Sequence, residues 1–123
     1  MTKHTDEYKD HILALQRDVL EICQSVIKGS TGVIDASRKL RNLHYQMFQN
    51  VDDDFRIFIG IESETDHLPV GDERQYWDVA VLSEKDKEIA EYEDKVIKVV
   101  VESCKKLIDR FAISDGPSIK EKI

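Results

Sequence analysis

One short segment of the 123-residue chain concentrates the side chains that could do chemistry. Residues 62–78, ESETDHLPVGDERQYWD, combine carboxylates with one histidine, one arginine and the chain's single tryptophan. Glu64 and His67 are three residues apart, and on a helix this spacing places both on one side, as in the Glu-x-x-His pairs that bind iron or manganese in helical bundles. Such a site needs a second pair and two further glutamates. The other histidines have no glutamate three positions before them, so the sequence holds half of the motif.

The carboxylates of this segment also allow acid–base chemistry. Glu62 and Asp66 are four residues apart, so a helix would place their carboxyl groups side by side, where like charges favour keeping one protonated. The chain lacks a Gly-x-Ser-x-Gly elbow, and the Gly29–Gly32 turn lacks the lysine of a phosphate-binding P-loop. We therefore predict a protein that is not an enzyme and uses no cofactor. The alternative is a metal-dependent helical-bundle enzyme that uses Glu62, Glu64, Asp66 and His67.

Charge is distributed unevenly along the chain, whose formal net charge is −7. Residues 52–94 contain fifteen carboxylates and four basic side chains, a net charge of −11, which leaves +4 for the remainder. A field of this sign repels phosphates and attracts basic proteins, so the sequence predicts a basic protein partner and no nucleic acid. The predicted partner-binding residues are Glu62, Glu64, Asp66, Asp72, Glu73, Tyr76 and Trp77.

Tyr76 and Trp77 suit that surface because aromatic anchors inside a polar rim are typical of protein interfaces. Trp77 has a second interpretation, in which it fills the core where residues 68–78 cross it. Arg38 and Arg41 are three residues apart, and they are candidates for ion pairs with the carboxylates at 62–66 or 86–93. Arg74 is a third candidate.

The composition indicates one folded domain. The chain is 41% hydrophobic and 35% charged, and its length allows a modest core. No apolar run approaches the roughly 20 residues that span a bilayer, and the polar start MTKHTDEYKD does not resemble a secretory signal. We therefore expect a cytoplasmic protein that does not bind membranes. Cys23 and Cys104 are expected to be buried small side chains in a reducing compartment.

The apolar pattern predicts helices. Tyr8, Ile12, Leu15, Val19, Ile22 and Val26 recur at alternating intervals of four and three residues, which favours a helix over 5–28 with Thr5 as its N-cap. A second helix is predicted over 32–48. The segment from Phe55 to Ile61 alternates as a strand would, but a lone strand would have no partner, so a helix over 53–66 is preferred.

Pro69 ends that helix. A last helix is expected over 78–112, with Ser83 and Asp86 as a capping box that restarts it after a kink. The sum is an all-α fold, a single-domain bundle of about four helices over residues 1–113 with an acidic inter-helix loop, followed by a frayed tail over 114–123.

The central third of the chain resembles a family of small uncharacterised bacterial proteins. The similarity lies in FRIFIGIESETDHLPVGDERQYW followed by KDKEIAEYE, and the matching residues are Ser63, Glu64, Thr65, Asp66, Leu68, Pro69, Val70, Gly71 and Trp77. This resemblance implies no activity.

In size, acidity and helical content the chain is also similar to immunity proteins that neutralise toxins of contact-dependent inhibition systems. Those families share no common motif, so the resemblance assigns no residue. It implies a basic partner such as a nuclease toxin, whose phosphate-binding cleft an acidic surface could occupy. A homodimer joined through the broad apolar face of the first helix is the third hypothesis.

Overall fold

The computed structural model describes the backbone of residues 2–115 and the side chains of residues 7–112. The elements are α1 (Thr2–Lys28), α2 (Val33–Met47), a 3₁₀ turn (Asp53–Phe55), α3 (Arg56–Glu64), a 3₁₀ segment (Gly71–Tyr76) and α4 (Val79–Asp115). None of residues 2–115 forms a strand. The prediction of an all-α bundle of about four helices is therefore confirmed.

The first two helices form an αα-hairpin. α1 ends where Gly29 adopts a φ of 82°, and the amides of Gly29 and Ser30 bond to the carbonyls of Val26 and Ser25 at 3.0 and 2.9 Å. The predicted end at residue 28 is correct. The predicted start is wrong by three residues, because Thr5 lies inside α1 and nothing in the preceding residues breaks a helix.

A residue from far along the chain caps the N-terminus of α2. Gly32 is the N-cap and offers no side-chain acceptor, and the backbone N–H of Ile34 instead donates to Oε2 of Glu93 in α4 at 3.1 Å. A Cβ on Gly32 would lie 3.0 Å from the same oxygen, so glycine leaves room for the carboxylate. The negative charge faces the positive end of the α2 dipole, which is a favourable arrangement.

The core lies between α1, α2, α3 and the second half of α4. Val26 shares a groove with Ile97, whereas Cys23 lies beside Cys104, so α1 and α4 run antiparallel. The buried cluster consists of Leu15, Val19, Cys23, Val26, Val33, Ala36, Leu40, Leu43, Phe55, Phe58, Ile61, Val100, Cys104, Leu107 and Phe111. Among the described residues, no helix is long and apolar enough to cross a membrane.

Both cysteines are free thiols, and both are buried, as predicted from the sequence. Cys23 and Cys104 have no solvent exposure. A hydrogen bond with the Cys104 thiol, together with burial, raises the pKa of Cys23. A thiol that stays protonated is a poor nucleophile and a poor metal ligand, so Cys23 acts as a small apolar side chain.

The ambiguous segment after residue 52 is helical. Asp52 Oδ1 accepts the amide of Asp54 at 2.9 Å, and the 3₁₀ turn leads directly into α3. Phe55, Phe58 and Ile61 recur every third residue and are buried, which explains why the helical pattern prevails over the alternating one. The helix is shorter than the predicted 53–66, because α3 ends at Glu64.

α4 is continuous from Val79 to Asp115, so the predicted restart at Ser83 is wrong. Asp78 supplies the start instead, since its Oδ1 accepts the amide of Ala80 at 3.0 Å. The predicted tail over 114–123 overlaps the end of α4 by two residues, and residues 116–123 lie outside the described part of the chain.

A buried histidine joins α2 to the segment that precedes α3. The backbone N–H of Asp52 donates to Nε2 of His44 at 2.9 Å, and the His44 ring is fully buried beside the rings of Phe48 and Phe55. Because Nε2 accepts this bond, the imidazole is neutral. Burial lowers the pKa of His44, and the nearby charge of Asp52 opposes that effect in part.

Acidification is therefore expected to destabilise the fold through His44. Above a pH of about 6.5 the imidazole is neutral in both the folded and the unfolded state. Below it the unfolded chain takes up the proton first, so the free energy of unfolding falls by up to about 1.4 kcal/mol per pH unit until the lower folded-state pKa is reached. NMR titration of the His44 ring should give a midpoint below 6.5.

The control for this effect is the exposed His11 on α1. His44→Gln should flatten the dependence of unfolding free energy on pH between 7 and 5 by more than His11→Gln does. A His44 midpoint at or above 6.5 would show that burial does not dominate its titration.

Asp52 also binds the far end of α4. Arg110 donates from Nη1 and Nη2 to the two carboxylate oxygens of Asp52 at 2.9 and 3.0 Å, and from Nη1 to Asp54 at 2.8 Å. Its guanidinium lies 5.6 Å from the ring centroid of Phe48 and 5.0 Å from that of Phe111. The hydrogen bonds from Arg110 lower the pKa of Asp52, so this contact favours the ionised carboxylate.

Candidate functional site

Residues 62–78, which hold the predicted contact residues, lie against the first half of α4. We define the acidic face as residues 62–78 and 84–94. Two hydrogen bonds join its chain segments. The hydroxyl of Tyr92 donates to Oε1 of Glu64 at 2.6 Å, and Nε2 of His67 lies 2.9 Å from Oε2 of Glu88. Burial and then the bond to Glu64 raise the pKa of Tyr92 to about 12, so it remains a donor at neutral pH.

Arg74 fixes the middle of the acidic face. It donates to Oδ1 and Oδ2 of Asp86 at 2.7 and 3.0 Å, and to the carbonyl of Pro69 at 3.2 Å. This two-pronged contact lowers the pKa of Asp86. It links the 3₁₀ segment to the first half of α4, a region in which no side chain before Val100 is fully buried. Polar contacts therefore help to position that half of α4, together with the partly buried Tyr92 and Val96, which pack against the core.

Arg38 organises the turn between α3 and the 3₁₀ segment. Its Nη2 donates to the backbone carbonyls of Thr65 at 2.8 Å and Leu68 at 2.7 Å, and its Nη1 lies 3.4 Å from Oε1 of Glu73. Thr65 and Leu68 are buried, so Arg38 satisfies two carbonyl groups that water reaches poorly. Together with the hydrogen bond from the Leu68 amide to the Thr65 carbonyl at 3.0 Å, this guanidinium holds the turn.

The expected ion pairs are largely present. Arg41 contacts Glu62 at 3.3 Å, inside the predicted range, and Arg74 contacts Asp86. The carboxylate partner of Arg38 is Glu73, which lies outside both predicted ranges. Exposed pairs of this kind contribute about 0–1 kcal/mol each, so they orient side chains more than they stabilise the fold.

The helical arrangement assumed for a metal or acid–base site is wrong. α3 ends at Glu64, so Asp66 and His67 lie in the following turn and do not share a helix face with Glu62 or Glu64. Thr65 is the C-cap of α3, and its amide and hydroxyl both donate to the carbonyl of Ile61. Glu64 and His67 bond to different residues of α4. Among the described residues, no three His, Cys, Asp or Glu side chains cluster as metal ligands would.

The loop buries Leu68 and Pro69, not Trp77. Leu68 and Pro69 are among the fully buried side chains, whereas Trp77 is half-buried and does not belong to the core cluster. The core-filling interpretation of Trp77 is therefore wrong. Tyr76 projects into solvent with 83% of its surface exposed. Tyr76 and Trp77 stay predicted contact residues, and Tyr76 is the more exposed of the two.

Several carboxylates of the acidic face remain without a basic partner in the described part of the chain. Asp66, Asp72, Glu91 and Asp94 are exposed, and none takes part in an ion pair there. Glu64 and Asp78 are also exposed without an ion pair among these residues, and they accept hydrogen bonds from the Tyr92 hydroxyl and the Ala80 amide. Other acids of this face are partly neutralised by contacts such as those of Arg38, Arg41 and Arg74. Asp66, Asp72, Glu91 and Asp94 have neither an ion pair nor a side-chain hydrogen bond among the described residues, so they are the carboxylates most available to a partner.

An open cleft of about 420 Å³ lies at the start of the 3₁₀ segment. Its lining residues are Asp35, Arg38, Lys39, Val70, Gly71, Asp72 and Glu73. Gly71 has a φ of 68°, a conformation that favours glycine, and a Cβ there would lie 3.5 Å from Oδ1 of Asp35. The cleft carries three carboxylates, of which Asp72 is unpaired among the described side chains.

Three important contacts could not be predicted from the sequence. Arg38 binds backbone carbonyls, which leave no pattern in a sequence. The Tyr92–Glu64 bond joins residues 28 positions apart, and the Arg110–Asp52 pair joins residues 58 positions apart. The apolar spacing of Tyr92 on α4 indicated burial of its ring but not the direction of its hydroxyl.

Comparison with known proteins places no further constraint on the site. The chain matches no protein-family model, and no curated protein or solved structure shows significant similarity to it.

Proposed function

We propose that this protein is a non-enzymatic, cytoplasmic binding protein whose acidic face docks a basic protein, and that it acts as an immunity protein against a bacterial toxin. The observation that carries the proposal is the group of exposed, unpaired carboxylates Asp66, Asp72, Glu91 and Asp94. They lie on segments that the bonds of Glu64, His67 and Arg74 hold together. A fixed array of unpaired charge accelerates and orients the encounter with an oppositely charged partner.

The rigidity of this face supports the proposal. Arg38 holds the turn at residues 65–68, and Arg74 holds the 3₁₀ segment against α4. A surface that is ordered before binding loses less conformational entropy when a partner docks. Of the predicted contact residues, Glu62, Glu64 and Glu73 have partners within the fold, so Asp66 and Asp72 are the carboxylates most available to another protein.

The test begins with the adjacent gene. We expect it to encode a toxin with a basic C-terminal domain, and we expect co-expression of this protein to relieve the growth arrest that the domain causes. In purified form, Asp66→Lys/Asp72→Lys should slow association at least tenfold at low salt and reduce the salt dependence of the association rate, because steering comes from these charges.

The matched control is Asp10→Lys/Glu21→Lys, which changes the net charge equally on exposed positions of α1. It should associate nearly as fast as the unchanged protein. Equal association rates for the acidic-face variant and the unchanged protein would refute the proposal, as would the failure of co-expression to relieve growth arrest.

A further inference from the structure

Two apolar side chains project from the edge of the acidic face. Tyr76 at the end of the 3₁₀ segment and Val79 at the start of α4 are 83% and 79% exposed, the highest values among the large hydrophobic side chains of the described residues. Exposed apolar groups are unremarkable when scattered singly, but here two lie three residues apart. We call this pair the apolar knob.

The backbone that carries the apolar knob is held on both sides. The amide of Trp77 donates to the carbonyl of Arg74 at 3.1 Å, and Arg74 is bound to Asp86. On the other side, Oδ1 of Asp78 accepts the amide of Ala80 at 3.0 Å. The knob is therefore presented by an ordered support and not by a loose loop, which reduces the ordering that binding requires.

Carboxylates lie on both sides of the knob in the sequence. Asp72 and Glu73 precede it, Asp78 lies within it and Glu84 follows one turn into α4. When a partner covers apolar anchors, the loss of water from the centre of the contact slows dissociation. Charged residues around the anchors set the rate of encounter. The negative charge of these carboxylates favours positively charged partners. The exposed apolar surface of Tyr76 and Val79 favours partners that present apolar side chains.

We propose that the apolar knob binds a lysine- or arginine-rich segment of a protein that also presents apolar side chains, so that apolar groups cover Tyr76 and Val79 while the basic groups face the carboxylates. This inference rests on the proposed function and specifies the chemistry of its partner. The anchor residues are Tyr76 and Val79, and Trp77 is a half-buried residue between them in the sequence.

Two synthetic peptides of equal length and charge provide the probe. One places lysine and leucine at helical spacing so that leucines form one face, and the other has serine in place of each leucine. Binding is followed by the fluorescence of Trp77, the only tryptophan in the chain, with peptides that lack tryptophan. We expect the leucine peptide to bind at least tenfold more tightly than the serine peptide at equal salt.

Variants separate the knob from the charges. Tyr76→Ser/Val79→Ser should abolish the preference for the leucine peptide, and Tyr8→Ser/Val99→Ser, at 66% and 51% exposed positions elsewhere, should keep it. Asp66→Lys/Asp72→Lys should weaken both peptides by a similar factor and preserve the preference. All substituted positions are exposed, and circular dichroism checks that each variant folds.

The outcomes distinguish the two proposals. If both peptides bind in a salt-dependent way but equally, or if the knob variant keeps the preference, the apolar knob is overturned and the acidic face stands. If neither peptide shows salt-dependent binding, the acidic face itself fails as a docking surface for basic proteins, and the knob inference fails with it.

Discussion

Replacement of Arg38 with leucine is expected to lower the free energy of unfolding by about 2–4 kcal/mol, because hydrogen bonds from charged donors contribute about 1.5–3 kcal/mol and a buried carbonyl left unpaired, here that of Leu68, costs about 1–3 kcal/mol. The Thr65 carbonyl keeps the Leu68 amide as a donor. Leucine fills part of the volume but cannot donate to Thr65 or Leu68, both of which are buried. Urea unfolding monitored by circular dichroism measures the difference.

The neighbouring arginine provides the control. Arg41 lies three positions further along α2 and contacts Glu62 across an exposed interface. Arg41→Leu should therefore cost no more than about 1 kcal/mol. Similar losses for both variants would mean that the carbonyl contacts of Arg38 contribute little. Faster proteolysis within residues 65–70 of Arg38→Leu, but not of Arg41→Leu, would locate the loss in the turn.

Truncation of Phe55 to alanine should have the largest effect of any single substitution proposed for this protein, a loss of about 3–5 kcal/mol in the free energy of unfolding. The ring is fully buried and lies 5.2 Å from the His44 ring, 5.8 Å from Phe48 and 6.3 Å from Phe111, measured between centroids. Alanine would leave a cavity where α2, α3 and α4 meet. Calorimetry or urea unfolding measures the loss.

Because small domains are stable by only about 5–15 kcal/mol, Phe55→Ala could unfold the protein, so a milder variant is needed. Phe55→Leu should lose about 1–2 kcal/mol and remain folded. Tyr76→Ala removes an aromatic ring of similar size from an exposed position and should change stability by less than about 0.5 kcal/mol. A loss below about 1 kcal/mol for Phe55→Ala would contradict the packing around this ring.

The fold was predictable because apolar periodicity determines which helix faces are buried. The stripe that contains Leu15, Val19 and Val26 is buried as expected. The segment at 53–66 required an argument about missing strand partners, and that argument gave the correct element. The boundaries were less predictable, since Ser83 and Thr5 are equally good caps in sequence and the structure uses neither as a helix start.

The site was predictable in charge but not in geometry. Local composition identified the acidic segment, and Coulomb forces made arginine partners a reasonable expectation. Which carboxylates remain unpaired depends on contacts between residues far apart in sequence, such as Arg74 with Asp86. Leu68 and Pro69 are buried in place of Trp77 because the chain turns directly after Glu64. The predicted helix continues for two more residues, which would place this turn differently.

The capping of α2 by Glu93 has a consequence for folding during synthesis on the ribosome. Ile34 and Glu93 are 59 positions apart, so the start of α2 lacks its acceptor until all of α3 and the first part of α4 have been translated. At about 5–20 residues per second this interval lasts roughly 3–12 s. For these seconds the first turn of α2 in the emerging α1–α2 hairpin is frayed. The cap of α2 forms only when α4 supplies Glu93.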